Sequence, residues 1–214
     1  MRSPIRETSG IGADIAPVPI FRGVPVTAIL APVRPSHSSD NLSQPDAPAE
    51  LRYGVFATVL GPMLVAGTIH GVSHVAFGDD SCQLEAEFHE AFAPASATRD
   101  DTHVAPWARS ISAQLDGKAR AIDVPIDVTG TPFQQRVWTE LRRIPFGELR
   151  SYQELAVLIG RPTAARAVAG ACASNRVAVI IPCHRVIRGT GELGGYRWGV
   201  ERKQKLLDAE RENA

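Results

Sequence analysis

The segment Pro182-Cys183-His184-Arg185-Val186 sets a thiol beside an imidazole. A free cysteine is mostly protonated at neutral pH and attacks as the thiolate, so a base that removes its proton turns it into a nucleophile. The five apolar residues before it, Val177-Ala-Val-Ile-Ile181, have the composition of a buried strand and predict one running straight into Pro182. Side chains alternate faces along a strand, so transfer of a proton from Cys183 to His184 then needs a water relay or a turn at Cys183. A Cys-His pair equally describes an inert buried thiol beside a polar edge residue.

The flanking elements narrow the choice. From Thr131 the apolar spacing is helical, with Thr131 as N-cap, Pro132 at the first helical position, and Phe133, Val137, Trp138, Leu141 and Ile144 on one face. Ser151-Tyr-Gln-Glu154 is a capping box that opens a helix with Leu155, Leu158 and Ile159 inward, closed by Gly160. After the Arg161-Pro162 turn, Thr163 is the expected cap of a helix from Ala164 to Ser174, made of small residues with Arg166 pointing outward. Two short helices joined by a tight turn predict a helix-turn-helix. Its second helix lacks side chains that read base edges, whereas Ala167, Gly170 and Ala171 permit close approach to a phosphate backbone. A helix packed tightly in a core has the same composition.

The N-terminal half reads differently. Residues 1–50, rich in Pro, Ser, Ala and Asp without a period, predict a disordered tail. Tyr53, Val55, Ala57 and Val59 alternate up to an expected turn at Gly61-Pro62, and Met63 to Ala66 form the return strand of a hairpin. A third strand covers Val75 to Phe77, Ser81 is the expected cap of a helix bearing Leu84, Phe88 and Phe92, and Ile122 to Val128 alternate as a last strand. The fold class is therefore α+β: a small sheet-plus-helix domain over 51–128, then a mainly helical domain over 129–214.

Composition limits the partners. Lys+Arg and Asp+Glu number 23 each, yet residues 131–214 hold 14 basic against 8 acidic side chains, a polarity that predicts a polyanionic partner for that half. The three cysteines, Cys82, Cys172 and Cys183, have no paired spacing and fit a reducing compartment. The chain contains neither a run of about 18 apolar residues nor a secretory signal, so a cytoplasmic protein without membrane contact is expected.

Ile181-Pro-Cys-His-Arg-Val186, with Arg166-Ala-Val-Ala169, Asn175 and Gly195-Tyr-Arg-Trp-Gly199, resembles the O6-alkylguanine-DNA alkyltransferase family. The likeness covers residues 51–214 and is greatest to the C-terminal half of the bacterial adaptive-response members. It implies a ribonuclease H-like first domain, a winged-helix-like second domain, and direct reversal of damage in duplex DNA containing O6-alkylguanine, with O4-alkylthymine left open. In that scheme Cys183 accepts the alkyl group once and irreversibly, His184 is its base through a water, and Glu210 orients the imidazole. Tyr152 serves the leaving guanine, Asn175 is a hinge, and Arg166 fills the gap left by the flipped nucleotide. Ser151, Thr163, Ala167 and Gly170 would face DNA, while Tyr196, Val186, Arg197 and Trp198 would line the pocket.

The resemblance implies no cofactor, and a monomer without an obligate protein partner. Cys82, His70, His74 and His89 are spaced unlike a zinc site, so no metal is expected. Residues 1–50 contain no cysteine and cannot supply the regulatory zinc module of the adaptive-response members. Two other readings remain at this stage: a DNA-binding regulator, which calls for a side-chain-rich recognition helix, and a cysteine hydrolase, which calls for oxyanion donors near Gly189 to Gly195 and for turnover.

Overall fold

The computed structural model describes residues 50–93 and 96–214, so the tail expected over residues 1–50 lies, but for Glu50, outside the described residues. Strand β1 (Leu51–Thr58) pairs antiparallel with β2 (Gly61–Thr68), Tyr53 opposite Ala66 and Phe56 opposite Met63. The turn falls on Val59 and Leu60. It comes two residues before the Gly61-Pro62 expected from sequence, because the Thr58 hydroxyl closes it, donating to Gly61 O at 2.7 Å and accepting from Leu60 N. Gly61 follows at φ 99°, in the left-handed region that favours glycine. Strand β3 (Gly71–Phe77) pairs with β2, and a short β4 (Ala97–Arg99) runs parallel to β1, giving the order β3-β2-β1-β4.

Helix α1 (Ser81–Phe92) starts as expected, but its cap is Asp80, whose carboxylate accepts from Gln83 N at 2.8 Å; Ser81 is already helical. Helix α2 (Asp101–Leu115) has no counterpart in the sequence reading. Its apolar positions, Val104, Ala108, Ile111 and Leu115, follow a helical period, and Asp100 caps it through His103 N. Pro106 stands in the second turn of the helix, where it has no N–H to offer the Thr102 carbonyl. The helix approaches β1 so closely that a Cβ on Gly54 would come within 2.9 Å of Val104 Cγ2.

The alternating segment Ile122 to Val128 is not a strand. Val124, Ile126 and Val128 are buried, but only one parallel bridge forms, Val72 to Ile126, flanked by Val72 N→Pro125 O and Asp127 N→Val72 O. Pro125 has no N–H to extend a ladder.

The second half follows its local signals more closely. Helix α3 (Pro132–Leu141) has a complete Thr131–Gln134 capping box, and α4 (Tyr152–Leu158) a complete Ser151–Glu154 one. Gly160 adopts φ 72° just beyond α4. On α4 the inward residues are Leu155 and Ala156, with Ile159 buried just after it, whereas Leu158, expected inward, is exposed. Helix α5 (Ala165–Ala173) has Ala164 at its N-cap and no side-chain cap; Thr163 is exposed and does not serve as one. Two-residue strands β5 (Arg150–Ser151) and β6 (Val186–Ile187) pair in parallel, and α6 (Val200–Glu212) closes the chain.

Helix α6 lies against both halves. Arg202 donates to Leu60 O at 2.9 Å, Gly78 O at 2.8 Å and Trp198 O at 3.0 Å, tying the start of α6 to the ends of β1 and β3. Among the described residues no helix is long and apolar enough to cross a membrane.

Candidate active site

The run 177–181 is buried but folded, not extended. Val177 makes one parallel bridge to Val75, framed by Val75 N→Arg176 O and Ala178 N→Val75 O. The chain then turns through Ile180 N→Ala178 O and Ile181 N→Val177 O, with Val179 at φ 66°. A β-branched residue in that region is strained and is held there by its surroundings. A 3-10 turn, Cys183–Arg185, follows directly. The expected strand is thus replaced by a turn, because five consecutive apolar residues signal burial from every side and carry no information on extension. The turn at Cys183 is one of the two geometries that chemistry between neighbours requires.

Asn175 organises this turn. Its Nδ2 donates to Ile181 O at 2.9 Å, Val177 O at 3.3 Å and Cys183 Sγ at 3.2 Å, and its Oδ1 accepts from Val177 N at 2.9 Å. One fully buried amide therefore holds the backbone of the turn and touches the sulfur. Burial pushes the Cys183 thiol up to about 11, against the opposing pull of the Asn175 hydrogen bond and the Lys203 ammonium. At rest Cys183 is a thiol and needs a base.

His184 is completely buried. Its Nε2 lies 2.9 Å from Glu210 Oε1, while Nδ1 is buried without a hydrogen-bond partner among the described residues. An ionised Glu210 only accepts, which places the imidazole proton on Nε2 and leaves Nδ1 with a free lone pair. Burial holds the imidazole below its ordinary value despite the bond to Glu210. Burial also pushes the Glu210 carboxyl up, but hydrogen bonds from His184 and Arg185 outweigh that and bring it to about 2. Arg185 is the buried counter-ion: Nε and Nη2 each lie 2.8 Å from a Glu210 oxygen, and Nη1 donates to Ile144 O at 2.7 Å. Gly147 N, at 3.1 Å, donates as well. The pair is an anion with its charge compensated and a neutral histidine whose open nitrogen can take a proton.

Around the thiol stand the residues expected to form a pocket. Tyr196 packs edge-on against His184 and Trp198, with ring centroids 6.4 and 5.1 Å away, and its hydroxyl is buried without a hydrogen-bond partner among the described residues. Trp198 and Val186 are buried; Arg197 turns outward and donates to Ala173 O at 3.4 Å. Tyr152 is half-buried at the start of α4, and its hydroxyl lies beside Gly194. Lys203, fully buried on α6, donates from Nζ to Val186 O at 2.5 Å and to Leu193 O, fixing both ends of the Gly-rich loop. Burial lowers it to about 8, though Cys183 and Cys172 pull the other way.

Arg185, Lys203 and Gly147 escaped the sequence reading. Arg185 stands inside the quoted motif, and Lys203 lies seven residues before Glu210, two turns along one helix face. That spacing could have exposed it.

The face of α5 is bare. Arg166, Ala167, Gly170 and Ala173 are exposed, while Val168, Ala171 and Cys172 are buried. A Cβ on Gly170 would meet no atom within 4 Å, so the small residues there serve no internal packing. Ser151 Oγ is engaged in its cap, accepting from Glu154 N at 3.1 Å. His89 Nε2 lies 3.1 Å from the Tyr53 hydroxyl, His74 is buried among aromatic rings, and Cys82 is exposed; among the described residues no three His, Cys, Asp or Glu side chains gather as metal ligands.

A sheet-and-helix unit followed by a helix-turn-helix, with a buried Cys-Asn and His-Glu-Arg network at their junction, has clear relatives. Residues 51–128 match the family described as 6-O-methylguanine DNA methyltransferase, ribonuclease-like domain, and residues 132–212 its DNA binding domain. The methylated-DNA–protein-cysteine methyltransferase of Methanosarcina barkeri is 38% identical over 161 residues, 75% of this chain and 98% of that protein. The chain belongs to the 6-O-methylguanine-DNA methyltransferase family. The bifunctional transcriptional activator/DNA repair enzyme Ada of Escherichia coli is 45% identical over 177 residues, 83% of this chain but 48% of Ada, so the chain spans about half that relative's length. Among solved structures, that of Mycobacterium tuberculosis OGT in complex with DNA superposes with a TM-score of 0.64 at 34% identity, covering 77% of this chain and 94% of that one.

Proposed function

We propose that this protein repairs DNA by direct reversal, moving the alkyl group of O6-alkylguanine in duplex DNA to Cys183. The observation that carries the reading is the buried network itself: a thiol held by Asn175, beside a neutral His184 whose far nitrogen is fixed on an ionised Glu210. A water between Cys183 Sγ and His184 Nδ1 takes the thiol proton to the imidazole, so the thiolate exists only as it attacks. The S–C bond forms as the C–O6 bond breaks; the guanine O6 anion takes the Tyr152 hydroxyl proton, which is replaced by the one that His184 accepted from the thiol. A soft sulfur nucleophile suits displacement at an sp³ carbon, and no oxyanion hole is required. The product thioether has no group near it that could cleave it, so each molecule acts once.

Reaching a thiol this deep requires the nucleotide to leave the duplex. The exposed small-residue face of α5 admits the DNA backbone, with Arg166 filling the vacated stack and Thr163, Ala167 and Gly170 beside it. Tyr196, Val186 and Trp198 then enclose the base, and Arg197 stands at the rim. The division at residues 128 and 129, a cytoplasmic location, a monomeric state and independence of cofactors complete the reading.

Incubation with duplex DNA containing O6-methylguanine is expected to add one methyl group per protein, at Cys183, by intact-protein and peptide mass spectrometry. Cys183→Ala should bind that DNA and take up none. Demethylation of more than one O6-methylguanine per protein would overturn the mechanism.

A further inference from the structure

Gln114 is a buried polar side chain that the chemistry above leaves unused. It sits in the last turn of α2, and its Nε2 reaches Glu210 Oε1 at 3.5 Å across 96 positions of sequence. Every other donor to that carboxylate, His184, Arg185 and Gly147, comes from the second half of the chain. Gln114 and Glu210 also share the wall of a cavity of about 150 Å³ with Leu60, Leu115 and Leu206. The first half of the chain therefore grips α6 at both ends: at its start through Arg202, and at its end through Gln114.

We propose that Gln114 is a positioning residue for alkyl transfer, its amide holding Glu210 Oε1 from the N-terminal domain and thereby setting how basic His184 is. This rests on the proposed function. The same oxygen, Oε1, accepts from His184 Nε2 at 2.9 Å. Arg185 donates to that oxygen as well, from Nη2 at 2.8 Å and Nε at 3.1 Å, and the Gln114 N–H adds to these at 3.5 Å, drawing off further negative charge and weakening the pull of the carboxylate on the imidazole proton. Without Gln114 the pull strengthens, and His184 becomes protonated, hence useless as a base, at higher pH. The charged and titratable groups facing His184 are Glu210 and Lys203 on α6, Arg185 and Cys183 on its own turn, and Tyr196 on the loop. Of these, Gln114 bonds Glu210 alone, so a substitution there reaches His184 through that carboxylate.

The test uses the full chain as wild type, Gln114→Met and Gln114→Ala. Met keeps the length and apolar bulk beside Leu115 and Leu206 without a donor, and Ala removes both. Alkylation of Cys183 by free O6-benzylguanine is followed by intact mass from about pH 5 to 9, with melting temperature in parallel. Both variants should move the acid limb upward by about half a unit, a rate on that limb about threefold lower, whereas only Ala should melt clearly lower. An acid limb unmoved in both, or moved in Ala alone, would make Gln114 a packing residue and overturn the inference. A wild type that alkylates Cys183 neither with O6-benzylguanine nor with duplex DNA containing O6-methylguanine overturns the proposed function itself, a result separable from either; if only the DNA reacts, the same pH series is run with it.

Discussion

Glu210→Gln keeps the shape of the site and removes one charge. The amide oxygen still accepts from His184 Nε2 or Gly147 N, but Arg185, buried at 6% exposure, loses its counter-ion and keeps Ile144 O, the Phe146 ring and a neutral amide. Breaking one side of a buried ion pair costs about 3–5 kcal/mol, since the remaining charge stays desolvated. An independent figure comes from the carboxyl itself, which lies at about 2 in the folded protein against an ordinary 4.5. At about 1.4 kcal/mol per unit that displacement corresponds to about 3 kcal/mol. Because the folded value is the depressed one, this stability is fully present above pH 4.5 and is lost as the pH falls towards about 2. Urea unfolding at a series of pH values should therefore place the variant about 3 kcal/mol below wild type at pH 7, with the gap closing below pH 4.5. At neutral pH that is a fall in Tm of about 6–12 °C for a chain of this size. A deficit under about 0.5 kcal/mol at pH 7, or one independent of pH, would refute the assignment of Glu210 as the ionised partner of Arg185.

Three further outcomes follow from the same geometry. Asn175→Ala removes the donor to Cys183 Sγ and leaves Ile181 O and Val177 O short of a buried partner, so single-turnover alkylation should slow by about tenfold and stability fall by about 1–3 kcal/mol; a wild-type rate would remove Asn175 from the site. In His184→Ala the thiol has no base, and iodoacetamide labelling of Cys183 should rise only as the pH nears about 11; labelling already complete at neutral pH would contradict the buried, protonated thiol. Arg166→Ala should impair repair of O6-methylguanine in duplex DNA far more than reaction with free O6-benzylguanine, and equal losses on both would eliminate the finger role.

Elements specified by neighbouring residues were legible in the sequence. The capping boxes at Thr131–Gln134 and Ser151–Glu154 are local devices, and both form as read. The β1–β2 hairpin was also recoverable, displaced by two residues because the Thr58 hydroxyl, not the Gly-Pro pair, closes it. Residues 177–181 misled because an apolar run reports burial alone, and tertiary packing folded it into a turn around Asn175. Helix α2 was hidden by Pro106 and by an apolar period diluted with Ser and Ala. Of the site, the Cys183-His184 pair and Glu210 came from the motif and the resemblance it carries. Arg185 and Gln114 act on Glu210 from 25 and 96 residues away, beyond the reach of spacing arguments, whereas Lys203 had a local signal in its helical spacing from Glu210.

Lys203 bears on how this scaffold can change. It holds the loop between β6 and α6 through the carbonyls of Val186 and Leu193, groups that every amino acid possesses. The anchor is therefore indifferent to the side chains it spans. Arg188, Thr190 and Glu192 are exposed and bond one another at the loop's tip, so changes among them leave the Lys203 anchor untouched. A scaffold anchored this way can vary the rim of its pocket while the sulfur, its base and their carboxylate stay in register.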